Sequence, residues 1–280
     1  MKLSFIGSGS MAEAMISGIT AKKVVQSSSI HVINRSNPKR LSFLREQYGI
    51  SPASSYQTLI QESDIIVLAV KPKDIFQALS TAKEYMSSHM LIISVAAGVS
   101  IDSISRILDM NNPIIRCMPN TSAALGRSAT ALAHNSLVTD RELQHALGLL
   151  QTFGNTSIVS EEQLDAVTGL SGSGPAYIYY LVEAMESSAK SIGLDQKNAK
   201  ELILQTIIGA AEMLLNTSKT PQQLRKEVTS PGGTTEAGLK VLQSREVKQA
   251  FIDCIVEATN QSKVMGERLS EEIDLRLLKK

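Results

Sequence analysis

The sequence predicts an α/β fold in two parts, a doubly wound and mostly parallel sheet followed by an all-helical half, and three observations carry this. Short, near-continuous apolar runs alternate with helical spacing in the first part; a strand, glycine turn and helix open the chain; and beyond Thr168 every apolar pattern is helical. The hinge between the regimes is Thr168-Gly169-Leu170-Ser171-Gly172-Ser173-Gly174-Pro175-Ala176-Tyr177. Its glycines let backbone N–H groups approach a ligand, and Pro175 at the start of a helix needs no donor. The segment is therefore expected to aim a helix N-terminus at something anionic.

In chain order, Leu3-Ser4-Phe5-Ile6 is a short apolar strand leading into Gly7-Ser8-Gly9-Ser10-Met11-Ala12 and a helix that carries Met11, Met15 and Ile19. This is the dinucleotide fingerprint of a Rossmann-like domain, with Ala12 in the third glycine position. A second strand, Ile30-His31-Val32-Ile33, ends in Asn34-Arg35-Ser36. A carboxylate there would accept the ribose 2′-hydroxyl of NAD; its absence favours NADPH, with NADH still admitted, although Arg35 also reads as a plain solvated loop charge.

Apolar runs at 64–70, 91–95 and 113–117 read as strands covered on both faces. Ligands of such sheets bind beyond the carboxyl ends of the strands, which here carry Lys71-Pro72, Ala96-Ala97-Gly98 and Met118-Pro119-Asn120-Thr121. Ala96, Ala97 and Gly98 are small enough for a nicotinamide ring to lie on backbone. Asn120 and Thr121 suit a carboxamide or ribose, but a tight turn and a helix cap explain the same residues. Strands near 130–133 and 156–159, with a helix over about 140–153 between them, complete a dinucleotide-binding domain predicted at residues 1–163.

The hinge helix continues through Ile178, Leu181, Val182, Met185, Ala189 and Ile192. Asp195 can cap the next helix, in which Ala199, Leu202, Ile203, Ile207, Ala210, Ala211, Leu214 and Leu215 form a wide apolar face. Thr220-Pro221-Gln222-Gln223 has capping-box spacing. The loop Thr229-Ser230-Pro231-Gly232-Gly233-Thr234-Thr235 repeats the physics of the hinge, a glycine pair and hydroxyls at a helix start, and so is a candidate carboxylate cradle. For Thr235 the plain alternative is an N-cap. A last helix is expected over about 245–268, followed by a polar extension at 271–280. Helices with such wide apolar faces, in a domain predicted at 164–280, exceed what the domain can cover alone and predict a homodimer.

A formal net charge of +1, 4% aromatic residues and no Lys/Arg run argue against nucleic acid. No apolar stretch reaches membrane-spanning length, and Gly7 interrupts the apolar start too early for a signal peptide. Cys117 and Cys254, far apart, suit a reducing, cytoplasmic setting. The four histidines lack metal-ligand spacing, so no metal is expected; His31 falls in a strand and His134 in a turn.

The runs from Gly7 to Ala12, Ala69 to Pro72, Ala96 to Gly98, Arg116 to Thr121, Thr168 to Tyr177 and Ser230 to Thr235 together resemble those of pyrroline-5-carboxylate reductases. The likeness extends from the first strand to about residue 265; the last two runs are specific to that family, whereas many dehydrogenases share the first. The resemblance implies hydride transfer from NAD(P)H to the C=N carbon of 1-pyrroline-5-carboxylate, giving L-proline. It also implies a homodimer through the helical domain, in some members assembled into rings, with no nucleic-acid or membrane partner.

Carried over by position, cofactor contacts fall on Ile6, Gly7, Ser8, Gly9, Ser10, Met11, Asn34, Arg35, Ser36, Ala69, Val70, Lys71, Pro72, Ala96, Ala97 and Gly98. The substrate carboxylate falls on Ser173, Gly232, Gly233, Thr234 and Thr235, with the Thr235 hydroxyl near the ring nitrogen as the catalytic group. Two positions depart from the family pattern: Ser122 stands where proline is usual, and Glu227 where some members carry an amide. A related enzyme class, the β-hydroxyacid dehydrogenases, requires a lysine four residues after the last hinge glycine, where this chain has Ile178. A cofactor-binding regulatory protein without turnover is the non-enzymatic alternative.

Overall fold

The computed structural model describes residues 1–279. Its first part runs β1 (Leu3–Ile6), α1 (Ser10–Ala21), β2 (Ile30–Ile33), α2 (Pro38–Tyr48), β3 (Ser51–Pro52), α3 (Tyr56–Ile60), β4 (Ile65–Leu68), α4 (Ile75–Ala82), β5 (Leu91–Ser94), α5 (Ile101–Leu108), β6 (Ile114–Met118), β7 (Ser128–His134), α6 (Asp140–Leu150), β8 (Gly154–Ile158) and α7 (Leu164–Val167). The strands lie in the order β3-β2-β1-β4-β5-β6-β7-β8. Only the β6–β7 pairing is antiparallel. Ile6 sits opposite Ile33 of β2 and Leu68 of β4. The strand order therefore reverses between β1 and β4, where a doubly wound sheet takes its ligand.

Helices cover both faces, which is why the strands read as nearly unbroken apolar runs. Phe5, Val32, Val67 and Ile93 pack with Met15, Leu44 and Leu150 on one face. Ile6, Ile66, Leu68 and Ile92 pack with Leu59, Leu79 and Ile104 on the other. Ser4, which alternates onto that second face, satisfies its buried hydroxyl by donating to the Leu59 carbonyl at 2.8 Å. Two residues of β3 pair with β2, too few to leave a period in the sequence. His134, expected in a turn, ends β7 opposite Ile115.

The remaining helices are α8 (Gly174–Ser191), α9 (Gln196–Asn216), α10 (Pro221–Glu227), α11 (Thr234–Ser244) and α12 (Val247–Leu277). The chain forms two compact units, one of Met1–Ser173 together with the residues from Glu257 onward, the other of Gly174–Val256. This corrects the division expected at 163/164 with everything later in one helical domain. It also corrects the polar extension at 271–280, of which Lys280 lies outside the described residues. Leu269, Ile273 and Leu277 form a single narrow stripe on α12 that packs into the second-face core, Ile273 at 1% exposure. Arg106 of α5 pairs with Asp274 and donates to Ser270 at 3.1 Å. Ser262 donates to Asp165 at 2.7 Å. A stripe one residue wide, flanked by charges, looks polar in sequence and still anchors a helix.

Within the second unit, Ala189, Ala199 and Ile203 are buried, with Val182, Met185 and Ile207 against them. The rest of the predicted apolar face stays open: Tyr180 is 75% exposed and Leu215 78%. No helix among the described residues is long and apolar enough to cross a membrane.

Candidate active site

Gly7 leaves β1 at φ +110°, and a Cβ there would stand 2.4 Å from the carbonyl oxygen of Ala69 at the end of β4. Only glycine can make this crossing. Gly9 is the N-cap of α1 without any side-chain cap bond, and nothing lies within 4 Å of where its Cβ would be. The first amides of α1, carrying the positive end of the helix, thus face open space beside a backbone that a ligand can approach closely. The loop is braced from behind: Arg40 Nε donates to the Ser8 carbonyl at 2.9 Å and its guanidinium pairs with Glu13. Tyr48 donates to the same carboxylate at 3.0 Å. A pyrophosphate fits this cradle.

Around it opens a cleft of about 730 Å³ at the β1/β4 switch point. It brings together Ile6, Gly7, Ser8, Gly9, Asn34, Arg35, Ser36, Ala69, Val70 and Lys71, all predicted as cofactor contacts. Ser10 opens α1, Met11 packs against the core and Pro72 starts a short turn of 3-10 helix; none of these three lines the cleft. Asn34, at the end of β2, is held by its neighbours: its amide donates to Ser8 Oγ and its oxygen accepts from Ser36 and Asn37 N–H groups at 3.0 Å each. That leaves Arg35 and Ser36 as the groups presented to a ribose.

The opposite wall was missed by sequence reasoning. Ala53, Ser54 and Tyr56 from the β3–α3 turn, and Lys73, Asp74, Gln77, Ala78 and Thr81 at the start of α4 and along it, line the cleft. No motif marks them; only the topology brings them to the sheet edge. Burial raises the Tyr56 phenol above its ordinary value, with nearby Arg35 pulling the other way.

Ala96, Ala97 and Gly98 do not line the cleft. Ala96 is buried, with its N–H on Ser94 Oγ at 3.3 Å, and Gly98 turns at φ +73° against α12, where a Cβ on it would stand 3.5 Å from the Gly266 Cα. Small residues here let a helix lie against backbone. Asn120, predicted as a cofactor contact, has both ends of its side-chain amide engaged within the fold. Its amide donates to the Ser171 carbonyl at 3.0 Å and its oxygen accepts from Ser122 N–H at 3.2 Å, a donor that the family's usual proline would lack.

The hinge also differs from expectation. Thr168–Gly172 is a π-helical turn continuing α7, and the Ser173 N–H donates to the Thr168 carbonyl at 2.8 Å, so it is not free for an anion. A Cβ on Gly172 would meet only the flexible end of Met118, Cε at 2.7 Å, so packing alone does not demand glycine there. Such wide turns inside helices recur at functional sites. Behind them, Glu161 Oε1 accepts from the Ile101 N–H at 2.8 Å and from buried Arg116 at 3.0 Å. One carboxylate so ties the start of α5, the middle of β6 and the approach to the hinge.

In the second unit, Gly232 turns at φ +71° and its N–H donates to Glu236 at 2.7 Å. Gly233 is the N-cap of α11, without a side-chain cap bond. Thr235 is therefore not the cap; it lies inside the first turn, and its hydroxyl has no hydrogen-bond partner among the described residues. Glu227 is paired with Lys219 at 2.8 Å. Burial pushes the Cys117 thiol up, which makes it an inert core residue.

The family description "Pyrroline-5-carboxylate reductase dimerisation" matches residues 161–265, and "NADP oxidoreductase coenzyme F420-dependent" matches residues 2–98. Pyrroline-5-carboxylate reductase 2 of Bacillus subtilis (strain 168) is 44% identical over 269 residues, covering 96% of each chain. The structure of a pyrroline-5-carboxylate reductase from Coxiella burnetii superposes with a TM-score of 0.88 at 36% identity, over 94% of this chain and 98% of that one. Plasmodium falciparum pyrroline carboxylate reductase with NADP bound gives 0.86 at 30% identity, over 95% and 98%. With likeness of that degree along both units, the chain belongs to the pyrroline-5-carboxylate reductase family.

Proposed function

We propose that this chain reduces 1-pyrroline-5-carboxylate to L-proline with NAD(P)H. The reading rests above all on the full-length likeness to reductases of this name, joined to a glycine-walled cleft at the sheet's switch point. The reduced nicotinamide supplies a hydride to the imine carbon, the ring nitrogen takes a proton, and C=N becomes C–N. A cyclic imine is readily protonated, so the protein needs mainly to hold the ring at reacting distance rather than to supply a strong acid. The loop of Gly232, Gly233, Thr234 and Thr235 takes the substrate carboxylate, with the positive end of α11 favouring the anion. The unpartnered Thr235 hydroxyl orients the ring nitrogen and relays its proton.

Arg35 in the cleft, and no carboxylate at the end of β2, support NADPH as the main reductant with NADH also used. Unpaired Cys117 and Cys254 support a reducing, cytoplasmic setting. Mixing the protein with NADPH and the imine should consume the absorbance of the reduced cofactor; no loss above the rate without protein would refute the activity. Thr235→Ala is expected to cut turnover about ten- to hundredfold, the worth of a hydrogen bond to a charged group, while NADPH binds as before. Unchanged turnover would remove Thr235 from the mechanism.

The exposed apolar faces of α8 and α9 support a homodimer through the helical unit. Leu202 (58% exposed), Ile208 (50%) and Leu215 lie on α9 as surface leucine and isoleucine, more than a solvated helix carries without a partner. Sedimentation should give a dimer, and Leu215→Asp should shift it toward monomer; a monomeric parent protein would contradict the assignment.

A further inference from the structure

Asp74 is the one carboxylate among the described residues lining the nucleotide cleft, which otherwise carries Arg35, Lys71 and Lys73. It occupies the N-cap position of α4, yet its side chain caps nothing. Ser100, Thr139 and Asp195, at the same position of α5, α6 and α9, all accept an amide. Its Oδ1 instead faces Arg35 at 3.9 Å, from the wall opposite β2. Arg35, 78% exposed along its side chain, makes no hydrogen bond among the described residues, and Tyr56 is its other electrostatic neighbour. At that distance the pair is a charge contact rather than a hydrogen bond, and it leaves both groups free to turn to a ligand.

We propose that Arg35 and Asp74 form a two-sided selector at the adenosine ribose. Arg35 takes the 2′-phosphate of NADPH, as a guanidinium does best. Asp74 accepts the 2′-hydroxyl of NADH, supplying from the α4 wall the carboxylate that β2 lacks. The same carboxylate repels a 2′-phosphate, so Asp74 holds the preference for NADPH below what Arg35 alone would set. Asp74 is thus a specificity-determining residue of the cleft, and the pair explains how one site can take both reductants. The inference rests on reading the cleft as the NAD(P)H site.

The test is binding without substrate: the full-length chain is titrated with NADPH and with NADH, following dihydronicotinamide fluorescence at fixed ionic strength. Asp74→Asn is expected to tighten NADPH about three- to fivefold, the range for an exposed charge pair, and to weaken NADH by a similar factor. Arg35→Ala should weaken NADPH about tenfold or more and leave NADH within about twofold. If Asp74→Asn leaves both affinities as in the parent, or moves both by the same factor, the selector is wrong. If the parent chain binds neither reductant, it is the reading of the cleft that fails.

Discussion

Gly7→Ala is expected to cost the first unit about 2–6 kcal/mol and to abolish NADPH binding. Two independent penalties add. The backbone at φ +110° is one that side chains with a Cβ rarely adopt, worth about 1–3 kcal/mol. The new methyl would also stand 2.4 Å from the Ala69 carbonyl, an overlap of the kind that costs about 1–3 kcal/mol in a packed interior. Neither can relax cheaply, because Gly7 N–H is bonded to the Ile33 carbonyl and Ala69 N–H to the Ile6 carbonyl, at 3.0 and 2.9 Å. Moving the loop would unzip β1 from both neighbours. Thermal unfolding and NADPH titration check this; a variant with the parent's midpoint and affinity would show that the crossing is not as tight as described. Gly9→Ala is a useful contrast, since its Cβ meets no protein atom and only a bound ligand would feel it.

Arg116→Met should destabilise the first unit by about 2–4 kcal/mol, less than a fully buried pair because Glu161 is 30% exposed along its side chain. The loss would spread beyond β6. Glu161 Oε1 also holds the Ile101 N–H at the start of α5, and without the cation it can turn to water and release that amide. Glu161→Gln keeps an acceptor for both donors and should cost about 1–2 kcal/mol. Denaturant unfolding should rank the variants in that order. Equal losses for Gln and Met would mean that the pair acts by shape alone.

Much of this molecule was legible because its periods are strong. The buried strands announce themselves as runs such as Ile65-Ile66-Val67-Leu68, and the glycine crossing at β1 is set by a local steric demand that shows in residue type. What was not legible depends on topology. Asp74 and Gln77 reach the cleft only because β4 lies beside β1, bringing α4 alongside, and Tyr56 because β3 lies beside β2; nothing in their own neighbourhoods records that. Asn120 was read as either a cap or a ligand contact, and its oxygen found the Ser122 N–H nearby. The hinge glycines were read as a segment aiming a helix N-terminus, since residue type alone does not distinguish such a turn from a wide helical turn.

The return of α12 to the first unit has a consequence for synthesis on the ribosome. All of Gly174–Val256 is translated before Ile273, Asp274 and Gly266 become available to α5 and the turn after β5. The nucleotide-binding half therefore cannot finish folding in N-to-C order, as many domains do, and its α5 flank stays bare until the end of α12 emerges. Nonsense truncation anywhere in the helical half removes the piece that closes that flank, and leaves the apolar surface that Ile273 covers open to water.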